Sequence, residues 1–200
     1  MCMEEYKNMF NVLIHPTAEL KKLKKTNLVE GIKYTTLGTL IPGILALLFL
    51  TFGMGTIAAL FKAGGVGTAV GFVNGLIALI TLVITNIIAL LIGGAILWVI
   101  AKIFGLKKDI QNFIGVYGII LGISVALTWI PVVGWLIGIY SLYLLYVMLK
   151  EAMGMESNKA ILTIIVPIIL VAIIIAIVIA TLGTAAFTTA AAYMTTMPSM

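Results

Sequence analysis

The chain has one cysteine, Cys2, one histidine, His15, and no arginine. A single thiol forms no intramolecular disulfide, and one thiol with one imidazole falls short of the ligand sets that hold zinc, haem or iron–sulfur clusters within one chain. Charge is scarce as well: charged residues make up 10% of the 200, and no acidic residue stands between Glu30 and Asp109. A proton- or sodium-coupled carrier needs a carboxylate or histidine inside the membrane, and the long apolar runs offer neither. Ser124 and Ser141 have no histidine within reach, because His15 precedes the first apolar run, and no two carboxylates converge. The expectation is a protein that is not an enzyme and holds no cofactor or metal. The basic residues are all lysine and come with no aromatic-interleaved basic patch, so the formal charge of +5 does not imply a nucleic-acid partner.

What is abundant is apolar surface. Hydrophobic residues form 62% of the chain and the mean hydropathy is +1.25. No water-soluble core of this size hides that much, so the chain is expected to be an integral membrane protein. About 20 apolar residues cross a bilayer core of about 30 Å. The first thirty residues are polar and broken up, unlike a cleaved secretory leader.

The segment "NLVE", residues 27–30, has the form of a capping box and predicts a helix starting near Leu28, fully apolar over 37–61. Pro42 and Gly43 are expected to bend it. The glycine-rich segment "KAGGVGTAVG", 62–71, fits neither nucleotide-binding glycine pattern and predicts a flexible connector. The apolar run over 72–103 is too long for one crossing and too short for two. It is counted once, with 72–80 as a tilted or interfacial lead-in and the crossing over 81–103. Asp109 is placed to cap a helix over 110–130, a fourth span follows over 131–149 from Pro131, and a fifth covers 158–182 with a possible kink at Pro167. The fold class is therefore all-α: a polytopic bundle of five transmembrane helices. A cytoplasmic basic arm over 1–30 precedes the membrane domain of 31–182, and a low-complexity tail over 183–200, expected to be disordered and extracytoplasmic, follows it.

Eleven of the twelve lysines fall on one side of this topology, with Lys62 alone on the other, and all seven acids share the lysine-rich side. Positive residues stay inside, so the expectation is a cell-membrane protein with its N-terminus cytoplasmic and its C-terminus outside. The arm sequence "AELKKLKK" spaces Leu20 and Leu23 three apart among Lys21, Lys22, Lys24 and Lys25. It predicts a short amphipathic helix lying on the anionic inner leaflet or receiving a partner, beside the simpler role of a positive-inside anchor. His15 is placed at the helix start. Trp129 and Trp135 flank Pro131 in "TWIPVVGW" and, with Trp98, are the candidate interfacial anchors. Gly118 and Gly122 on the third span and Gly134 and Gly138 on the fourth have G-x-x-x-G spacing, which predicts that these two spans form the tightest pair, though the two motifs stand at different depths. Asn86, Tyr117 and Tyr143 are the intramembrane polar candidates, for hydrogen bonds between helices or contact with a solute.

The segments "HPTAELKKLKK", "WVIAKIFGLKKD", "FIGVYGIILG" and "IPVVGWLIGIYSLYLLYVMLKEAMGMESNKAILTIIVP", in that order, resemble the Yip1 domain family of five-span membrane proteins. The resemblance runs from residue 10 to 182 and is strongest over 98–167. It implies a cytoplasmic N-terminus and, in eukaryotic members, vesicle trafficking with Rab-type GTPases. The arm of about thirty residues departs from those members, looks like the compact prokaryotic ones, and puts Rab-type GTPase binding in doubt. The expected role is a membrane-organising adaptor whose partners are inner-leaflet lipids and another membrane or membrane-associated protein. The competing expectation is a small transporter, or subunit of one, moving an uncharged solute or lipid past Asn86, Tyr117 and Tyr143.

Overall fold

The computed structural model describes the backbone of residues 2–23, 26–60 and 66–196, with side chains over 4–23, 26–53, 69–130 and 132–181. The described residues form helices and no strand: α1 (Cys2–Ile14), α2 (Pro16–Lys22), α3 (Leu28–Leu60), α4 (Val66–Ile103), α5 (Ile110–Thr128), α6 (Pro131–Val147), a π-turn (Met148–Ala152) and α7 (Ser157–Thr196). Among them five helices are long and apolar enough to cross a membrane, over Leu28–Gly53, Ala69–Ile103, Ile110–Thr128, Val132–Ala152 and Ser157–Thr181.

The start of α3 is set by the capping box. Asn27 Oδ1 accepts the Glu30 N–H at 2.9 Å and Glu30 Oε2 accepts the Asn27 N–H at 3.2 Å, which satisfies two donors that a helix start leaves unmatched. At α5 the N-cap position falls to Asp109, but its side chain makes no capping bond there. Between α6 and α7 the chain leaves the helix through i→i+5 bonding, with the Met153 N–H donating to the Met148 carbonyl at 3.0 Å. Gly154 then takes a φ of +72°, a conformation that favours glycine.

Small residues decide which helices meet closely. A methyl group on Gly115 of α5 would stand 2.5 Å from the Asn27 carbonyl oxygen, and one on Gly31 of α3 would stand 2.7 Å from the Ile114 carbonyl oxygen. Farther along, Gly118 lies against the Gly31 backbone and Gly122 against Tyr34 and Thr35, while Gly38 faces the Gly122 backbone. Contacts thus advance in the same direction along both helices, so α3 and α5 run parallel. The buried Thr35 hydroxyl donates across this seam to the Gly118 carbonyl at 3.0 Å, and Asn112 Nδ2 donates to the Thr26 carbonyl at 3.0 Å. Antiparallel to α3 lies α4, with Gly75 against Leu47 and Gly43 against Leu79.

These contacts correct the expected pairing. The Gly118–Gly122 motif packs on the first span, and α3 makes its most extensive contacts with α4 and α5. The atoms nearest a methyl group on Gly134 are those of Thr128, from 2.5 Å, and no described residue lies within 4 Å of one placed on Gly138. Shared G-x-x-x-G spacing predicts that the third and fourth spans pair, yet the small residues that match Gly118 and Gly122, namely Gly31, Thr35 and Gly38, lie on α3.

Length is the second difference. Helices α3 and α4 have 33 and 38 residues, about 50 and 57 Å at 1.5 Å per residue. Helices α5 and α6 have 19 and 17, about 28 and 26 Å. The corner between α5 and α6 therefore ends beside the middle of α3, where Trp129 lines a trough of about 590 Å³ with Pro42, Leu45 and Phe49. Residues 72–80 belong to the one helix α4, which runs from Val66, and the connector before it is shorter than its glycines imply. Lys62 and the rest of 61–65 lie outside the described residues. Composition had also pointed to a disordered tail, whereas the backbone of α7 stays helical to Thr196.

Candidate interaction surface

Since α3 and α5 are parallel and α4 and α6 return against them, the start of α3, the end of α4, the start of α5, the π-turn and the start of α7 share one end of the bundle. Their buried contacts form a common core that joins Leu20 of α2, Leu106, Leu149, Met153, Met155 and Ala160. Around this core stand the charged groups. Lys21, Lys22, Lys102 and Lys107 are exposed. Lys22 pairs with Glu19 at 2.7 Å and Lys159 with Glu156 at 2.9 Å, exposed pairs that add little stability. Lys24 and Lys25 lie outside the described residues.

Helix α2 does not simply rest on a lipid surface. Its Pro16 is buried and its Leu20 completely so, and it packs on the π-turn and on α6. The lysine side of α2 is left facing outward. His15 takes the N-cap position of α2 without a side-chain capping bond.

Ahead of it lies an element that the broken-up polarity of the arm concealed. In α1, Glu5, Met9 and Val12, spaced four and three apart, are all buried, as one face of an amphipathic helix requires. The Tyr6 hydroxyl donates to the Leu37 carbonyl at 2.9 Å, a point nine residues, or about 14 Å, beyond the start of α3. The Tyr140 hydroxyl donates to the Leu13 carbonyl at 2.7 Å. Glu5, itself buried, accepts a hydrogen bond from Lys33 Nζ in an ion pair whose lysine is partly exposed. That bond from Lys33, against the opposing effect of burial, holds the Glu5 carboxyl below the usual glutamate range. The spacing of Glu5, Met9, Val12, Pro16 and Leu20 was the available signal for this docking.

The tryptophans take different places. Trp98 Nε1 donates to the Lys108 carbonyl at 3.2 Å and the Lys102 ammonium lies 5.3 Å from its ring centre, a cation–π arrangement that fastens the 104–109 loop to α4. Trp129 and Trp135 are 49% and 73% exposed and belong to the bundle's outer surface.

The three intramembrane polar candidates are not brought together. Asn86 Nδ2 donates to the Leu82 carbonyl of its own helix at 2.9 Å, so the bond expected between helices is made within one. Tyr117 packs on Gly94 of α4 and beside Phe113, ring centres 6.4 Å apart. Tyr143 is exposed and lies beside Tyr140 at 5.5 Å. Among the described residues no three His, Cys, Asp or Glu gather as metal ligands. The trough at Trp129, the cavity between α1 and α5 and the groove between α6 and α7 have apolar linings apart from Tyr6 and Trp129, and none includes Asn86, Tyr117 or Tyr143.

Compared with known protein families, the chain matches the model of the Yip1 domain over residues 10–180. Comparison with curated proteins and with solved structures gave no match.

Proposed function

The chain belongs to the Yip1 domain family, and from that premise we propose that it is a non-enzymatic adaptor that organises partners at the membrane through its ion-bearing end. The observation that supports this most is the outward lysine side of α2 on a helix whose Leu20 is fully buried. A basic helix fixed in place presents its charges at a constant angle to anionic headgroups or to an acidic partner, each lysine adding about 1 kcal/mol near such a surface. In this reading the ion-bearing end is cytoplasmic, and Lys21, Lys22, Lys24 and Lys25 form the contact. Rab-type GTPases are not the proposed partner, because α1 is folded into the bundle. The carrier reading is weakened by the separate placement of Asn86, Tyr117 and Tyr143.

The test is to extract the full chain from its own membrane in detergent-free polymer discs and identify by mass spectrometry what accompanies it. A near-stoichiometric protein lost on replacing the four lysines with glutamine supports the adaptor. A retained solute or lipid without a protein, lost in Asn86→Leu, overturns it in favour of the carrier.

A further inference from the structure

The seat of α1 has the build of a helix-docking site. Its walls come from α3, α5 and α6: Lys33 and the Leu37 carbonyl on the first, Ile123 and Ala126 on the second, Tyr140 on the third. Against them α1 lays Tyr6, Met9 and Leu13, and the two sides leave a cavity of about 160 Å³ between them. The occupant is attached by one residue. Helix α1 ends at Ile14 and α2 starts at Pro16, so His15 alone joins an inserted helix to the anchored α2. The fit is also incomplete in polar terms: Glu5 is 7% exposed, and its second carboxylate oxygen, Oε2, is buried without a hydrogen-bond partner among the described residues. A buried carboxylate oxygen without a partner raises the energy of the docked state, while the ion pair with Lys33 gives the seat a charge preference.

We propose that this seat is a helix-binding site which α1 fills in cis as a releasable strap, and that the partner it fits is an amphipathic helix of another protein. Such a helix presents a carboxylate to Lys33 and apolar residues three and four positions beyond it. This rests on the adaptor reading and adds to the lysine side of α2 a second contact, with the chemistry of the helix it takes. Binding in trans then requires release of α1, and the strap lowers apparent affinity by the fraction of time the seat is closed.

The experiment uses the full chain in lipid nanodiscs, with Cys2→Ser and a reporter thiol from Ala126→Cys, a position 7% exposed beneath α1. With Glu5→Lys the strap is repelled by Lys33, and labelling by a small permeant maleimide is expected to accelerate about tenfold. Adding Lys33→Glu restores the pair with signs exchanged and is expected to restore protection, which a misfolded bundle would not do. A fluorescent peptide of residues 2–14 should then bind the Glu5→Lys protein about tenfold more tightly than the parent and lose that advantage when Lys33→Glu is added. Unchanged labelling in Glu5→Lys, or protection that the exchanged pair does not restore, overturns the strap. Labelling as expected without peptide binding overturns the docking site, and leaves the outcome of the disc co-isolation independent.

Discussion

Gly118–Gly122 and Gly134–Gly138 share one spacing and have opposite surroundings. The first pair lies backbone to backbone on α3, with the Thr35 hydroxyl bonded across the seam, while Gly138 has no described neighbour within 4 Å and Gly134 lies nearest to Thr128 in the turn before it. Spacing of small residues permits close approach, and a second helix with its own small residues at the same depth completes it. Helix α3 supplies them at Gly31, Thr35 and Gly38; no described residue supplies them to Gly138. The motif states what a helix face allows, and the partner decides whether that is used.

The largest effect that separates the two seams is expected from bulk. Gly118→Leu places a side chain into the Gly31 backbone, which cannot yield as a flexible side chain does, and is expected to destabilise the bundle by about 3 kcal/mol or more. Gly138→Leu meets nothing and is expected to stay within about 0.5 kcal/mol. Thermal unfolding of both variants in nanodiscs reads the contrast, and equal losses would show that α6 is packed as tightly as α5.

Smaller changes sharpen the same comparison. Thr35→Val keeps the shape and removes the bond to Gly118, for an expected loss of about 1 kcal/mol, in the range of single hydrogen bonds between membrane helices. Asn27→Ala removes half of the capping box at the same end of the seam, with an expected loss of about 1 kcal/mol; a loss near zero in the same melt would mean that packing alone sets where α3 begins.

The smallest effect near neutrality concerns pH. The Glu5 carboxyl is held low chiefly by the bond from Lys33, so its stabilisation of docked α1 is fully present above the ordinary glutamate pKa and is lost as pH falls through the lowered value. The mobility of a spin label at Phe10→Cys, an exposed position on α1, should be constant from pH 8 to about 5 and rise only below about 4. Loosening already at pH 6 would mean that another group holds the strap.

Composition made the five apolar helices legible, because long runs without charge have few alternatives to crossing a bilayer. The capping box at Asn27 and Glu30 was legible for a local reason: both partners lie within one turn. Pairing of α3 with α5 was not, since it joins residues more than eighty positions apart, as in Thr35 with Gly118 and Asn112 with Thr26. Docking of α1 was hidden by its Glu4, Glu5 and Lys7, which give the segment a polar average while Met9 and Val12 keep one face apolar. Asn86 was placed in the right helix, but whether an amide bonds to a neighbour or to its own carbonyl depends on what stands opposite it. The exposure of Lys21 and Lys22 was readable; the burial of Leu20 that orients them depends on the π-turn.

The reading rests on the ion-bearing end of the bundle facing the cytoplasm. The most direct measurement is thiol labelling in intact cells with a membrane-impermeant reagent, in a Cys2→Ser background, comparing Lys107→Cys beside the α5 start with Gly65→Cys in the α3–α4 connection. The account predicts that Gly65→Cys labels and Lys107→Cys labels only after the cells are opened. Labelling of Lys107→Cys in intact cells, with Gly65→Cys shielded, would put the lysines outside and contradict it.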